Sequence, residues 1–349
     1  MKRFVLVVLA SMLLAACAAP PANVPEPVEE PSAAVEAPTA APSGEHILDK
    51  LQVVSRPNKV DYFAGETFDP TGLVINAFYQ DGTVEENVPW ESNTTVITGK
   101  MTSATVTCMD KELRLSLNVV REGNLPQYSV ENTPEVENSP VKGQTFFWLG
   151  SSVTYGVDSE QESMADFFCK KYGAIMIKEA VSGTTLSTNK INSYVERLDQ
   201  YIADHPDTHV DAFICQLSTN DTYFVGTKLG EMLSDDVRDS ASFDVGTICG
   251  AIEYIIARAK ETWDCPIYFY TNPALIGKTE YKLMVDALYE IAEKWEITII
   301  DMYRDEAFND ITEAQKILYM TDTIHATKAG YRDWWLPRFE ETLLDLAAE

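Results

Sequence analysis

The chain has 349 residues, of which 54 are acidic and 27 are basic, giving a net charge of −27 at pH 7. A surface of this sign repels phosphate backbones and anionic lipid headgroups, so we expect no nucleic-acid partner, whereas neutral substrates remain open. The length allows two domains, and 45% hydrophobic residues suffice for a sizeable core.

The N-terminus has the pattern of an export signal. Basic residues at 2–3 precede an apolar run, 4–16, that is too short to span a bilayer comfortably. The run ends at Cys17 in a sequence that resembles a bacterial lipobox. The resemblance implies that residues 1–17 form a lipoprotein signal peptide, with Cys17 lipidated as the mature N-terminus. A simple secretory signal, in which this cysteine is incidental, is the alternative.

Residues 18–45 are rich in Pro, Ala and Glu. Such a composition cannot bury a core and predicts an extended, self-repelling tether. Together with the lipid anchor, it predicts a protein held at the bacterial cell surface, in contact with the membrane only through its N-terminus.

Residues 46–122 contain short alternating runs of apolar and polar residues, separated by turns such as Asp81-Gly82. Asp-Gly between two strand-like runs predicts a hairpin, and the regular spacing predicts a small all-β sandwich. The segments 62–73 and 77–83 resemble bacterial Ig-like domains of surface proteins. This resemblance implies a spacer or a weak binding module.

Residues 123–144 are polar and contain proline, which predicts a linker. From 145 to 349, strand-like and helix-like segments alternate, which predicts a three-layer α/β/α, flavodoxin-like domain with a parallel sheet. Continuous apolar runs predict strands that are covered on both faces, at 145–150, 174–181, 211–218, 266–272 and 297–301. Helices are predicted near 160–172, 189–204, 244–263, 279–295 and 328–346.

Two segments supply the residue types of a serine nucleophile and its base. The first predicted strand runs into a small-residue turn, 150–156, which exposes the hydroxyl of Ser152 at the carboxyl edge of the sheet. His325 follows the fifth strand, and Asp322 precedes it by one turn of chain. A serine hydroxyl needs such a base, and the carboxylate orients the imidazole. Taken alone, these residues are also compatible with a plain turn, a helix cap and a surface histidine.

Two further strand ends supply hydrogen-bond donors. Gly183 follows the second strand and can present an unobstructed backbone N–H. Asn220 follows the third strand and can donate its amide to an oxyanion. Each is also compatible with an ordinary turn.

In this order the four motifs resemble the conserved blocks of the SGNH (GDSL-like) hydrolase family, over residues 145–349. The resemblance implies a triad of Ser152, His325 and Asp322, and an oxyanion hole formed by the backbone N–H of Ser152, Gly183 and Asn220. The chain departs from the family at Ser151, where Asp is usual, and at Ser218, where Gly is usual. Ser151 also leaves two candidates for the nucleophile, of which the register against the glycine at 156 favours Ser152.

The expected activity is hydrolysis of carboxylic esters without metal or cofactor, with a carbohydrate acetyl ester or another small-molecule ester as substrate. The carbohydrate assignment rests on location and family analogy. A lipid-directed esterase or lysophospholipase, acyl transfer to a glycan, and a non-catalytic surface carbohydrate-binding protein remain alternatives. The insertion 222–244 is expected to shape the pocket, with Tyr223 and Phe224 either lining it or packing elsewhere.

Overall fold

The computed structural model describes residues 46–98 and 101–344. Cys17 and the predicted tether lie outside the described residues. Within the described ranges, no helix has the length and apolar character needed to cross a membrane.

The first domain is built from short strands around its own core, and it confirms the Ig-like prediction. The strands are β1 (Leu48–Ser55), β2 (Asp61–Phe63), β3 (Val74–Tyr79), β4 (Val84–Glu85), β5 (Glu91–Ser92), β6 (Ser103–Cys108), β7 (Lys111–Ser116) and β8 (Asn118–Val120). Antiparallel sheets join β1, β3 and β4, and β5, β6 and β7, whereas β2 pairs with β8 in parallel. The alternating pattern of β6 buries Ala104, Val106 and Cys108.

The predicted hairpin at Asp81-Gly82 is confirmed. It joins β3 to β4, and the N–H of Gly82 donates to the carbonyl of Tyr79 at 3.0 Å. Gly82 has a φ of +84°, a conformation that residues with a Cβ rarely adopt, which explains the glycine.

The second domain is organised around a five-stranded parallel sheet, as the sequence predicts. Its strands are β9 (Thr145–Gly150), β10 (Ile175–Ala180), β11 (Ala212–Gln216), β12 (Ile267–Tyr270) and β13 (Thr298–Ile300). They lie in the order β10-β9-β11-β12-β13. All pairs run parallel, so the carboxyl ends of all five strands meet at one edge of the sheet.

Helices cover both faces of this sheet, with one apolar core on each side. Among the described residues they are α1 (Ser152–Tyr155), α2 (Met164–Tyr172), α3 (Tyr194–Asp204), α4 (Val225–Lys228), α5 (Ile248–Thr262), α6 (Thr279–Trp295), α7 (Glu306–Asn309), α8 (Glu313–Tyr319) and α9 (Leu336–Leu343), the last continuing a π-helical turn at Gly330–Trp335. Local sequence sets where they begin. In α3, the Ser193 hydroxyl accepts from the N–H of Glu196, whose carboxylate accepts from the N–H of Ser193.

The two edge strands depart from the prediction that all five are covered on both faces. β13 lies at one edge, and its Thr298 is exposed. β10 lies at the other edge of the sheet, and its Ile175 is 54% exposed. An edge strand has a neighbour on one side only, so an apolar run in the sequence does not by itself guarantee burial.

The segment predicted as a linker, 123–144, lies on the hydrolase domain through specific contacts. The Asn124 amide donates to the Asp158 carbonyl at 2.7 Å and accepts from the Lys328 N–H at 2.9 Å. Val141 is fully buried in the core on the α2 side of the sheet. The polar, proline-containing composition does not predict these contacts. Backbone and amide hydrogen bonds hold the segment in place, and such bonds leave no apolar pattern in the sequence.

We expect Gly150→Ala to destabilise the second domain. A Cβ on Gly150 would lie 1.7 Å from Thr154 Oγ1 and 2.9 Å from Gln216 Oε1, in a buried and hydrogen-bonded setting. Overpacking of this kind costs about 1–3 kcal/mol, which should lower the melting temperature in thermal unfolding. Gly226→Ala is the control, since no heavy atom lies within 4 Å of its added Cβ. Equal melting temperatures for the two variants would contradict this packing.

Candidate active site

Ser152 lies where the carboxyl end of β9 turns into α1, and its hydroxyl points at an imidazole. Ser152 is the first residue of α1 and is 8% exposed. Its Oγ lies 2.8 Å from Nε2 of His325. Gly156 ends the helix with a φ of +79°, and its N–H donates to the Ser152 carbonyl at 3.0 Å. The single helical turn therefore fixes the position of the hydroxyl.

Ser151, the other candidate nucleophile, points away from this site. It is fully buried, and its N–H donates to Gln216 Oε1 at 2.9 Å, with the hydroxyl 3.4 Å from the same oxygen. Gln216 is the last residue of β11, so Ser151 links two neighbouring strand ends. The geometry thus places Ser152, and not Ser151, against His325.

Asp322 holds His325 by both its backbone and its ring. Asp322 Oδ2 lies 2.9 Å from His325 Nδ1. The other carboxylate oxygen accepts from the N–H groups of Ile324 and His325, at 2.7 and 2.6 Å. The carboxylate therefore forms the turn and orients the imidazole, leaving Nε2 directed at Ser152.

The turn that carries His325 is closed on both sides. Met320 and Ala326 form an antiparallel bridge, and the N–H of Thr321 donates to the His325 carbonyl at 2.9 Å. Asn272, which follows β12, donates its amide to the Ile324 carbonyl at 2.9 Å. The end of the fourth strand thus supports the turn, a role that sequence reasoning missed because a single asparagine after a strand is also an ordinary turn residue.

The two predicted donor loops are joined to each other. The Asn220 side-chain amide donates to the Thr184 carbonyl at 2.8 Å, next to Gly183. Gly183 has a φ of +79°, and no heavy atom lies within 4 Å of an added Cβ, so backbone conformation rather than crowding explains the glycine. The neighbouring Asp221 is buried and accepts from the N–H of Leu186 at 2.7 Å, and its burial raises the pKa of the carboxyl.

Arg197 of α3 links the first two strand ends. Its guanidinium donates to the Gly150 carbonyl and to the Glu179 carbonyl, each at 2.7 Å. Arg197 is 6% exposed, and desolvation lowers the pKa of the guanidinium. The sequence carries a signal for this role, because Arg197 follows the buried Tyr194 by three residues and so shares its helix face.

Asp158 is a second carboxylate beside the imidazole that sequence reasoning missed. Its Oδ2 lies 4.0 Å from His325 Nδ1 and accepts from the Thr321 hydroxyl at 2.6 Å. Arg121, which follows β8, places Nη1 3.9 Å from the other oxygen of Asp158. Asp158 lies in an irregular loop after Gly156, so no periodic pattern in the sequence points to it.

Asp158, Asp322 and His325 each present one potential ligand atom within 4.8 Å of the others. Both ring nitrogens of His325 already have hydrogen-bond partners, Ser152 and Asp322. A metal ion bound through this ring would displace one of those bonds. The arrangement therefore suits proton transfer between a hydroxyl and an imidazole.

The aromatic residues of the predicted insertion differ in exposure. Tyr223 is 74% exposed, with Lys278 Nζ 4.2 Å from its ring centroid. Phe243, near the end of the insertion, is 7% exposed and packs in the core on the α5 side of the sheet.

The strand order and the grouping of polar side chains at the carboxyl edge define a parallel α/β hydrolase domain. The profile of the GDSL-like lipase/acylhydrolase family matches residues 148–332, and that of the bacterial Ig-like domain (group 3) matches residues 55–110. The chain belongs to the GDSL-like lipase/acylhydrolase family and is an ester-bond hydrolase with an N-terminal Ig-like domain.

No curated protein matches the chain. Solved structures similar to it include a structural-genomics target from Lactobacillus plantarum, 18% identical, which covers 58% of this chain and 97% of its own with a TM-score of 0.47. A carbohydrate acetylesterase family member from Sinorhizobium meliloti is 14% identical over 59% of this chain and 100% of its own, with a TM-score of 0.43. An inhibitor-bound aryl esterase of M. smegmatis is 15% identical over 58% of this chain and 100% of its own, with a TM-score of 0.40. Because the similarity is this low, the activities in these names are those of the named proteins and are not transferred to this chain.

We expect Asp158 to substitute partly for Asp322 in orienting the imidazole. Removing the aspartate that orients the histidine of a serine hydrolase costs about 10⁴-fold in kcat. Because a second carboxylate lies 4.0 Å from the same nitrogen, Asp322→Ala should lose only about 10²-fold in ester hydrolysis. The double variant Asp322→Ala/Asp158→Asn should fall by about 10⁴-fold.

Asp158→Asn alone keeps a polar partner for the Thr321 hydroxyl and serves as the control for local structure. Additive losses in this double-mutant cycle, measured as kcat, would show that the two carboxylates act independently.

Proposed function

We propose that this protein is a surface-anchored serine esterase that hydrolyses carboxylic esters through Ser152, His325 and Asp322, with acetylated carbohydrate as its substrate class. The observation that carries the proposal is the continuous hydrogen-bond chain from Ser152 Oγ to His325 Nε2, at 2.8 Å, and from His325 Nδ1 to Asp322, at 2.9 Å. A hydroxyl, an imidazole and a carboxylate in this order constitute an activated nucleophile.

In the proposed mechanism, His325 Nε2 accepts the hydroxyl proton as Ser152 Oγ attacks the ester carbonyl carbon. The imidazolium then donates this proton to the oxygen of the leaving alcohol, and the acyl group remains on Ser152. Water attacks the acyl carbon while His325 takes a proton from it. The imidazolium then donates this proton to Ser152 Oγ as the bond between Oγ and the acyl carbon breaks, which releases the acid and restores the hydroxyl. Asp322 stabilises the imidazolium in both steps.

The negative charge on the carbonyl oxygen needs donors on the other side of the reacting carbon. We assign this role to the N–H groups of Ser152 and Gly183 and to the amide of Asn220. The 2.8 Å bond from Asn220 to the Thr184 carbonyl supports the assignment, because it fixes the amide beside the glycine loop. Each such donor typically contributes about 10²–10³-fold to the rate.

The net charge and the proposed location support the proposed substrate class. A net charge of −27 disfavours anionic membranes and nucleic acids as partners, and is compatible with a neutral acetylated glycan. A lipid anchor at Cys17, with residues 18–45 as a tether, would place the hydrolase domain outside the cell, in contact with the membrane only through the anchor.

We expect Ser152→Ala to abolish hydrolysis of 4-nitrophenyl acetate, with kcat at least about 10⁴-fold below that of the wild type. The matched control is Ser151→Ala, which removes a neighbouring buried hydroxyl that lies 3.4 Å from Gln216 Oε1, and this variant should keep kcat of the wild-type order. The release of 4-nitrophenolate gives both rates directly.

Equal turnover by wild type and Ser152→Ala would show that the site assignment is wrong. If the wild-type protein hydrolyses 4-nitrophenyl acetate but releases no acetate from acetylated xylan, the proposed carbohydrate substrate is wrong, and the proposed triad is unaffected.

The proposed lipid anchor at Cys17 is tested separately from the hydrolase activity. Wild-type protein expressed in a bacterium should partition into the detergent phase of Triton X-114 and incorporate a labelled fatty acid, because stable anchoring needs acyl chains. Cys17→Ala should lose the label and move to the aqueous phase, whereas Cys265→Ala should behave like the wild type. A label that persists in Cys17→Ala would exclude this cysteine as the lipidation site.

A further inference from the structure

A cavity of about 360 Å³ lies between the Ig-like domain and the hydrolase domain. On the Ig-like side it is lined by the turn residues Ala64 and Gly65 and by the segment 96–98. On the hydrolase side it is lined by Leu275 and by residues between 316 and 323, including Asp322. We call it the interdomain pocket. Its volume falls within the range of small-molecule sites.

The Ig-like wall of the interdomain pocket is held by backbone hydrogen bonds. The N–H of Gly65 donates to the Ile97 carbonyl at 2.7 Å, and the N–H of Ile97 donates to the Glu66 carbonyl at 2.9 Å. Gly65 has a φ of +92°, so the tight turn depends on glycine. These bonds tie the turn at Gly65 to the segment 96–98, so the two parts of this wall form one surface.

The two walls approach closely and are apolar. A Cβ added to Gly65 would lie 3.4 Å from Ile317 Cδ1, so little space separates the two walls at this point. Val96 on one wall and Ile317 on the other remain 47% and 46% exposed. Half-exposed aliphatic side chains on both sides of a cavity favour an apolar ligand, whose burial would remove them from water.

The position of the interdomain pocket determines which half of an ester it can hold. Asp322 lines the pocket and lies 2.9 Å from His325 Nδ1, so one carboxylate and one imidazole separate the pocket from Ser152. In a serine hydrolase the histidine donates its proton from Nε2 to the leaving alcohol, whereas the pocket lies beyond the Nδ1 side of the same ring. An alcohol substituent that extends past the imidazole is therefore the part of the ester that comes nearest to the pocket. The donors assigned to the oxyanion belong to different loops, those of Gly183 and Asn220.

We propose that the interdomain pocket is a binding subsite for an apolar group on the alcohol half of the ester, with the Ig-like domain as one of its walls. This rests on the proposed function and refines its substrate, from any acetylated carbohydrate to one whose alcohol half carries an apolar substituent. The Ig-like domain then contributes to specificity as well as to spacing.

The test keeps the acyl group constant and varies the alcohol, using ethyl, butyl and hexyl acetate. Each buried methylene contributes up to about fourfold in affinity, so kcat/KM of the wild type should rise about tenfold or more from ethyl to hexyl acetate. Val96→Asp on the Ig-like wall should remove this rise, measured as the ratio of kcat/KM for hexyl acetate to kcat/KM for ethyl acetate. Ile317→Asp on the opposite wall should do the same.

The matched control is Val54→Asp, which places the same change on a 56% exposed valine of the Ig-like strand β1, away from the pocket lining. It should keep the wild-type preference. A parallel series of 4-nitrophenyl acetate, butyrate and hexanoate separates the alcohol half from the acyl half, and the pocket variants should not alter the preference in this series.

A wild type that does not distinguish the three alcohols, or pocket variants that keep the wild-type preference, would overturn the subsite. A change in acyl preference instead would assign the interdomain pocket to the other half of the ester and also overturn it. A wild type that hydrolyses none of these esters would overturn the proposed function, and the subsite would fall with it.

Discussion

The hydrogen bonds of one buried guanidinium hold the carboxyl edge of the sheet in the shape that the site needs. Arg197 reaches from α3 to the carbonyls of Gly150 and Glu179, the ends of two adjacent parallel strands. Parallel strands leave their last carbonyls without partners where the chain departs into loops, and burying a charge is unfavourable unless it is hydrogen-bonded. Here the guanidinium supplies donors to the carbonyls, and the carbonyls supply hydrogen-bond partners to the buried charge. The turn that presents Ser152 and the loop that contains Gly183 therefore start from strand ends in a fixed relation.

The histidine side of the site is held in a different way, by a short loop that closes on itself. Asp322 accepts from two backbone N–H groups and still reaches the ring of His325, so the same carboxylate sets the loop conformation and the orientation of the imidazole. The bridge between Met320 and Ala326 closes the loop at its base. Loss of the carboxylate would thus remove a loop contact and a partner of the ring together, and Asp158 is placed to replace the second of these roles and not the first.

Local patterns in the sequence predict elements well, and contacts between distant loops poorly. The apolar periodicity of α6 predicts its observed bounds, 279–295, because one face of the helix is buried along its whole length. The prediction for α2 begins at 160, whereas the helix begins at Met164, because Ser163 and Asp166 form a capping box there. The motifs around Ser152 and His325 are local, so the sequence predicts them as parts of the site. The sequence does not predict the roles of Asp158 and Asn272, because their contacts depend on how separate loops meet.

The position of the Ig-like domain against the hydrolase domain is also not predicted by the sequence. Its sequence indicates a self-contained sandwich and says nothing about where that sandwich rests. In the structure, Gly65 approaches Ile317 of α8, and Arg121, just after β8, lies 3.9 Å from Asp158. The first contact contributes apolar surface and the second contributes positive charge, and both fall on the histidine side of the site. A domain that served only as a spacer would need neither. Residues of the Ig-like domain therefore lie close to both Asp158 and Asp322, and a change in domain position would alter the surroundings of these two carboxylates.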